Sequence, residues 1–218
     1  RREMAAHQAL LSAPPGDHSG YAAFLQRGRG AEKAIGEICP GYAHLEAETF
    51  AEMQALAPGA KFLFVMREPV ARLWSGLRWN NAAKIADGTL GRDDLIAMFR
   101  SALGDRSRHA WRASDYARTL EALEAAVPAD RIRLMFYETL FEQESMDGVF
   151  DFLGVARRPV DASARVNESA QAPMTLPPAV AAEAAEALRP VRDAVAARLG
   201  DGALPDAWRK RFAPLETA

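Results

Sequence analysis

One cysteine, Cys39, is all the chain carries, so no internal disulfide framework can hold it together and a reducing cytoplasm is the expected compartment. Its 4 histidines are scattered and leave no ligand spacing for a structural zinc; no metal is expected. No apolar run reaches the ~18 residues of a transmembrane helix, and no signal-like segment opens the chain. A surplus of charge is also missing. With 27 basic against 29 acidic residues the formal net charge is −2, which gives no long-range pull toward nucleic acid or an anionic membrane. Neither GxxxxGK[ST] nor GxGxxG occurs, and Gly28-Arg29-Gly30 and the stretch from Gly16 to Gly20 lack the strand-before, helix-after setting of a phosphate loop. Repeats and coiled-coil heptads are absent, and the Ala-rich stretch 179–197 reads as a helix packed at the surface. What is present, 218 residues, suffices for one domain with its own core.

Alternating elements follow along the chain. Residues 1–30 are mixed, with a break at Pro14-Pro15-Gly16, and Ala31 to Glu37 is a candidate strand. Helical spacing covers Leu45 to Leu56, Pro69 to about Ile85, Asp93 to Leu103, Arg112 to Ala126, Glu142 to Leu153 and Pro178 to Leu199. Short strands are expected at 61–67 and 131–137. Strands separated by helices predict an α/β domain whose parallel sheet is flanked by helices on both faces. Residues 156–178, with Arg157, Arg158, Arg165, Pro159 and Pro173, predict a mobile loop over the site.

The segment from Lys61 to Asn80 is the most specific. Phe62, Leu63, Phe64, Val65 and Met66 form the continuous apolar run of a strand covered on both sides. Arg67 ends it at the edge where open α/β sheets bind ligands. Pro69 starts a helix at its preferred first position, so free amides and the positive dipole end are expected beside Arg67. Ser75 follows about two turns on. Arg67 then reads either as an anion ligand or as a strand cap paired with Glu68 or a neighbour.

An apolar strand, Arg67, Glu68, Pro69 and a serine eight positions after the arginine resemble the 3′-phosphate motif of the sulfotransferase superfamily. Two further blocks fall in order. Ile35-Gly36-Glu37-Ile38-Cys39-Pro40-Gly41-Tyr42 resembles the GEKTPxY segment of bacterial and carbohydrate sulfotransferases. Arg131 to Leu140, followed by Val149-Phe150-Asp151-Phe152-Leu153-Gly154-Val155, resembles the strand, Tyr-Glu-Asp-Leu, helix, Phe-Leu-Gly block. Asn167 in a polar loop, Leu204-Pro205 and Trp208 agree in outline, so the resemblance covers the chain from about Ala34 to its end.

The resemblance implies a P-loop NTPase-like sulfotransferase fold and a co-substrate, 3′-phosphoadenosine 5′-phosphosulfate (PAPS). Arg67 and Ser75 would hold its 3′-phosphate, the planar guanidinium through paired charge-assisted hydrogen bonds. Tyr137 matches the tyrosine that packs on adenine, and reads otherwise as a buried strand tyrosine. Arg165 is a further cation for the nucleotide. A sulfonate would pass to a hydroxyl or amine of a small-molecule or carbohydrate acceptor, with Glu37 or His44 taking the acceptor proton. Glu37 reads equally as a structural partner of Arg67 or Arg78, and His44 as a loop histidine. Arg72, Arg78 and Arg108 read as solvated helix faces, and Trp74, Trp79 and Trp111 as core, with Trp79-Asn80-Asn81 a possible border of an acceptor cleft.

Two departures stand out. The family's phosphate loop, Pro-Lys-Ser/Thr-Gly-Thr-Thr, does not occur, and Ile38 stands where the carbohydrate-type relatives have a lysine. The chain opens on Arg1 rather than Met, so the expectation is a single domain over 1–218 without the N-terminal strand and 5′-phosphosulfate loop. A different class of function is then the alternative: a non-catalytic nucleotide- or polyanion-binding module that keeps only the 3′-phosphate half-site. A kinase is disfavoured because the Walker lysine and its metal-binding partners are missing.

Overall fold

A computed structural model describes residues 17–27, 29–163 and 174–213. Two strands, β1 (Phe62–Met66) and β2 (Ile132–Phe136), pair in parallel, with Phe62 opposite Ile132 and Met66 opposite Phe136. Both match the expected positions to within a residue. The expected strand at Ala31 to Glu37 does not form. Residues 31–39 are irregular and exposed, with Ile38 99% accessible. With Glu32 and Lys33 among them and no alternation to bury, these residues have no apolar face to lay on a sheet.

Around the strands, α1 (Ser19–Leu25) and α2 (Ala47–Leu56) precede β1. Then come α3 (Pro69–Asn80), α4 (Ala82–Ala86), α5 (Arg92–Leu103), α6 (His109–Arg112) and α7 (Tyr116–Ala126). After β2 follow α8 (Gln143–Leu153), α9 (Pro178–Leu199) and α10 (Asp206–Arg211). None of the described helices is long and apolar enough to cross a membrane.

Buried Val70, Leu73, Trp74 and Leu77 repeat at helical spacing and turn one face of α3 to the core. The single helix expected from 69 to about 85 is broken at Asn81, whose side-chain amide donates to the Leu77 carbonyl at 2.8 Å and closes the last turn of α3. In the same way Asp115 caps α7 by accepting from the Arg118 amide, so that helix begins at Tyr116 rather than Arg112. The Ala-rich stretch is not a surface helix. Val180, Ala184, Leu188, Val191 and Val195 are all buried, and α9 packs on α3, α5 and α7. Small side chains let these helices approach, and ~2 kcal/mol for each fully buried Val or Leu makes α9 the centre of the core.

Phe64, Leu134 and Phe136 pack one sheet face on this core, while Phe62 and Ile132 meet a second cluster around Phe50 and Leu123 between α2 and α7. On the opposite face the Arg133 guanidinium occupies the space that a Cβ at Gly148 of α8 would need. Leu63 and Val65 of β1, on that same face, remain 40% and 41% exposed. Arg133 thus meets α8 on the outer face of β2, whereas Leu63 and Val65 leave the outer face of β1 open among the described residues.

Candidate functional site

Both strands end at the same level, and the chain leaves each one toward a common cavity. The Tyr137 N–H donates to the Met66 carbonyl at 2.7 Å, which carries the parallel register one residue past the strands. Arg67 and Tyr137 are thereby neighbours at the carboxyl edge, the position at which open α/β sheets place ligands. The Arg67 guanidinium lies 4.7 Å from the centroid of the Tyr137 ring, a cation over an aromatic face. Arg67 makes no ion pair among the described residues.

Glu68 decides what the helix terminus can offer. Its carboxylate accepts from the Val70 amide at 2.7 Å and the Ala71 amide at 3.0 Å, so the amides expected to be free for an anion are already filled by the chain's own carboxylate. Only 3% of Glu68 is accessible. Burial raises its pKa above the usual carboxylate range, against the lowering effects of the Val70 amide and of Arg211. The Arg211 Nε stands 3.5 Å from its Oε2.

A second carboxylate ties the two strand ends to the C-terminal helix. Glu138 accepts the Glu68 N–H at 2.7 Å on one oxygen and the Trp208 indole N–H at 3.1 Å on the other. Trp208 is fully buried, with Phe136 at 5.3 Å edge-on and Tyr116 stacked at 6.0 Å. This seats α10 against the sheet edge and brings its basic end to the site.

The cavity so formed measures about 730 Å³. It takes Arg67, Glu68 and Ala71 from the end of β1, Tyr137, Glu138 and Phe141 from the end of β2, and Ala207, Lys210 and Arg211 from α10. Three cations thus face two carboxylates whose oxygens are engaged by backbone and indole N–H groups. Charge in the space is positive, and Arg67 with Lys210 and Arg211 suits an anionic ligand.

The other expected residues fall differently. Ser75 is half-buried on α3, one turn beyond Ala71 on the same face, and does not line the cavity. Glu37 and His44 do not line it either. Glu37 is exposed and accepts from the Tyr21 hydroxyl rather than pairing with Arg67 or Arg78. His44 ends the 3-10 turn Pro40–His44, which Thr119 ties to α7 by donating to the Ala43 carbonyl at 2.9 Å. Arg165 and Asn167 lie outside the described residues. Arg72 is no solvated face: half-buried, it donates to Ser114 Oγ at 3.3 Å, and burial lowers its pKa. Trp74 and Trp111 are core, but Trp79 is 67% exposed.

Glu138, Lys210, Arg211 and Tyr116 are the residues that sequence reasoning missed. A basic run beside a buried tryptophan, Trp208-Arg209-Lys210-Arg211, was the available signal for two of them. No cluster of His, Cys, Asp and Glu fit to hold a metal occurs among the described residues.

No protein-family model matches the chain, and no curated protein matches it by sequence. The fold is similar to that of a crystal structure of a sulfotransferase from Alicyclobacillus acidocaldarius, with a TM-score of 0.65 over 89% of this chain and 74% of that one, at 20% identity. A mixed, helix-rich α/β fold of the sulfotransferase type is what that likeness establishes.

Proposed function

We propose that the cavity binds the 3′-phosphoadenosine end of PAPS and that the domain serves transfer of its sulfonate to a hydroxyl or amine of a small-molecule or carbohydrate acceptor. One observation carries the reading: an arginine with no ion pair among the described residues stands at the carboxyl edge of a parallel strand pair, over an aromatic ring, in a cavity that α10 supplies with two more cations. The likeness to a sulfotransferase structure supports it at the level of the fold.

In this reading Arg67 holds the 3′-phosphate, Lys210 adds charge, and Tyr137, 45% exposed beneath the guanidinium, leaves ring surface for adenine. Ser75, one turn beyond Ala71 on α3, and Arg165 are assigned to the same nucleotide. PAPS supplies an activated S–O bond. The acceptor oxygen or nitrogen forms a bond to sulfur as the bond from sulfur to the 5′-phosphate oxygen breaks, and 3′,5′-adenosine diphosphate leaves. The resemblance assigns the acceptor proton to Glu37 or His44, which stand outside the lining of the cavity. Whichever of Glu37→Gln and His44→Asn flattens the pH–rate profile identifies the base.

Calorimetric titration with 3′,5′-adenosine diphosphate, with 5′-AMP as the control lacking the 3′-phosphate, tests the site. Tight binding of the first and weak binding of the second is expected. Arg67→Ala should lose about 2–5 kcal/mol of that affinity, the cost of removing one partner of a buried charge pair. Equal affinity of the parent and Arg67→Ala would take Arg67 out of the site. Nucleotide binding with no sulfonate transfer to any acceptor would leave the non-catalytic module.

A further inference from the structure

Arg67 sits one residue past the last rung of the ladder, where its main-chain groups need partners that β2 does not supply. The Met66 carbonyl is directed at β2, since it accepts from the Tyr137 N–H at 2.7 Å. In an extended chain the groups of the next residue face the opposite edge. There one side chain meets both of them. The Tyr116 hydroxyl donates to the Arg67 carbonyl at 2.7 Å and accepts from the Arg67 N–H at 3.1 Å.

Tyr116 itself has little freedom. It is the first residue of α7, only 3% accessible, with its ring edge-on to Phe64 at 5.8 Å and stacked on Trp208 at 6.0 Å. Burial drives the phenol's pKa upward, so it stays a neutral donor. A buried tyrosine needs one partner for its hydroxyl. Two bonds to the main chain of one residue fix that residue's backbone as a strand partner would, and the residue so fixed carries the guanidinium that lies over Tyr137.

We propose that Tyr116 is the positioning residue of the anion site, its hydroxyl setting the main chain of Arg67 so that the guanidinium is held over Tyr137 at the cavity wall. The ligand side of this inference rests on the nucleotide-binding reading given above. Tyr116 touches no ligand; it acts through Arg67.

Tyr116→Phe keeps the ring and its stacking while removing both bonds, so the fold survives and the arginine loosens. The test is titration with 3′,5′-adenosine diphosphate of the parent, Tyr116→Phe, Arg67→Ala and the double variant, below the melting temperature of each. It is joined by amide hydrogen exchange at Arg67. Tyr116→Phe should bind about tenfold more weakly, and the double variant should bind no worse than Arg67→Ala alone, because the tyrosine works only through the arginine. The Arg67 amide should exchange faster in Tyr116→Phe. Parent-like affinity in Tyr116→Phe, or losses that add in the double variant, would overturn the proposal. If the parent binds no nucleotide, the functional reading falls. The exchange measurement still decides the clasp: an Arg67 amide protected in the parent and released in Tyr116→Phe upholds it, and unchanged exchange removes it.

Discussion

Glu138 and Trp208, 70 residues apart in the chain, are joined by a hydrogen bond of 3.1 Å from the indole N–H to a carboxylate oxygen. The other oxygen of Glu138 takes the Glu68 N–H at 2.7 Å, so one side chain fastens the end of β2 to the start of α3 and to α10. Both partners are N–H donors, which a carboxylate can serve and an amide cannot.

Glu138→Gln should therefore be destabilising although it is nearly isosteric. Its NH₂ must confront either the Glu68 amide or the indole, which leaves one buried donor unpaired at about 1–3 kcal/mol. Chemical denaturation with fluorescence of the tryptophans reads the change directly. A midpoint equal to the parent's would mean that the bridge contributes nothing to holding α10.

Glu68 predicts a pH dependence with a definite sign. Its folded pKa is raised above the unfolded value near 4.5 because burial penalises the charged form. The native state then binds more protons than the unfolded state, so this group's contribution is fully present below about pH 4.5 and is lost as pH rises through the folded pKa. Glu68→Gln keeps a side-chain oxygen for the helix cap and cannot ionise. The stability of the parent minus that of Glu68→Gln should fall as pH rises from about 4 to 7. A difference that rises over that range would show that Arg211 outweighs burial.

Periodicity and turn chemistry made the covalently local parts of this fold legible. β1, β2, the Pro69 start of α3, the span of α9 and the placing of Arg67 at the carboxyl edge of the strand pair all follow from residues within a few positions of one another. Arrangements that depend on distant packing did not. Glu68 looked like a partner for Arg67 but turns back into the helix it precedes, a choice made by burial under α10. The Ala-rich helix is weakly amphipathic by side-chain type, and only the neighbours α3, α5 and α7 make it central. Ala31 to Glu37 carries Ala31, Ala34 and Ile35 but no alternation, and it finds no strand to pair with among the described residues. Tyr116 and Lys210 have no local motif, since they enter the site region from two helices distant in sequence, α7 and α10, that meet where Tyr116 stacks on Trp208.

Lys210 and Arg211 offer the sharpest test of the three-cation cavity, because their other surroundings differ. Arg211 is shared with Glu68, 39% exposed against 5% for the carboxylate, so Arg211→Ala strips a buried acid of its cation. That variant should lose both stability and affinity for 3′,5′-adenosine diphosphate. Lys210 is exposed on α10 and lines the cavity without a bond to Glu68 or Glu138. Lys210→Ala should therefore leave the melting temperature within about 2 °C, since exposed substitutions stay within about 0.5 kcal/mol, while weakening the nucleotide by about 1 kcal/mol. The salt dependence separates charge from shape: raising ionic strength screens the cations, so the gap in affinity between the parent and Lys210→Ala should narrow between 50 and ~500 mM salt. A gap that persists at high salt would make Lys210 a steric wall of the cavity instead of part of its field. No gap at any salt would reduce the site to Arg67 and Arg211.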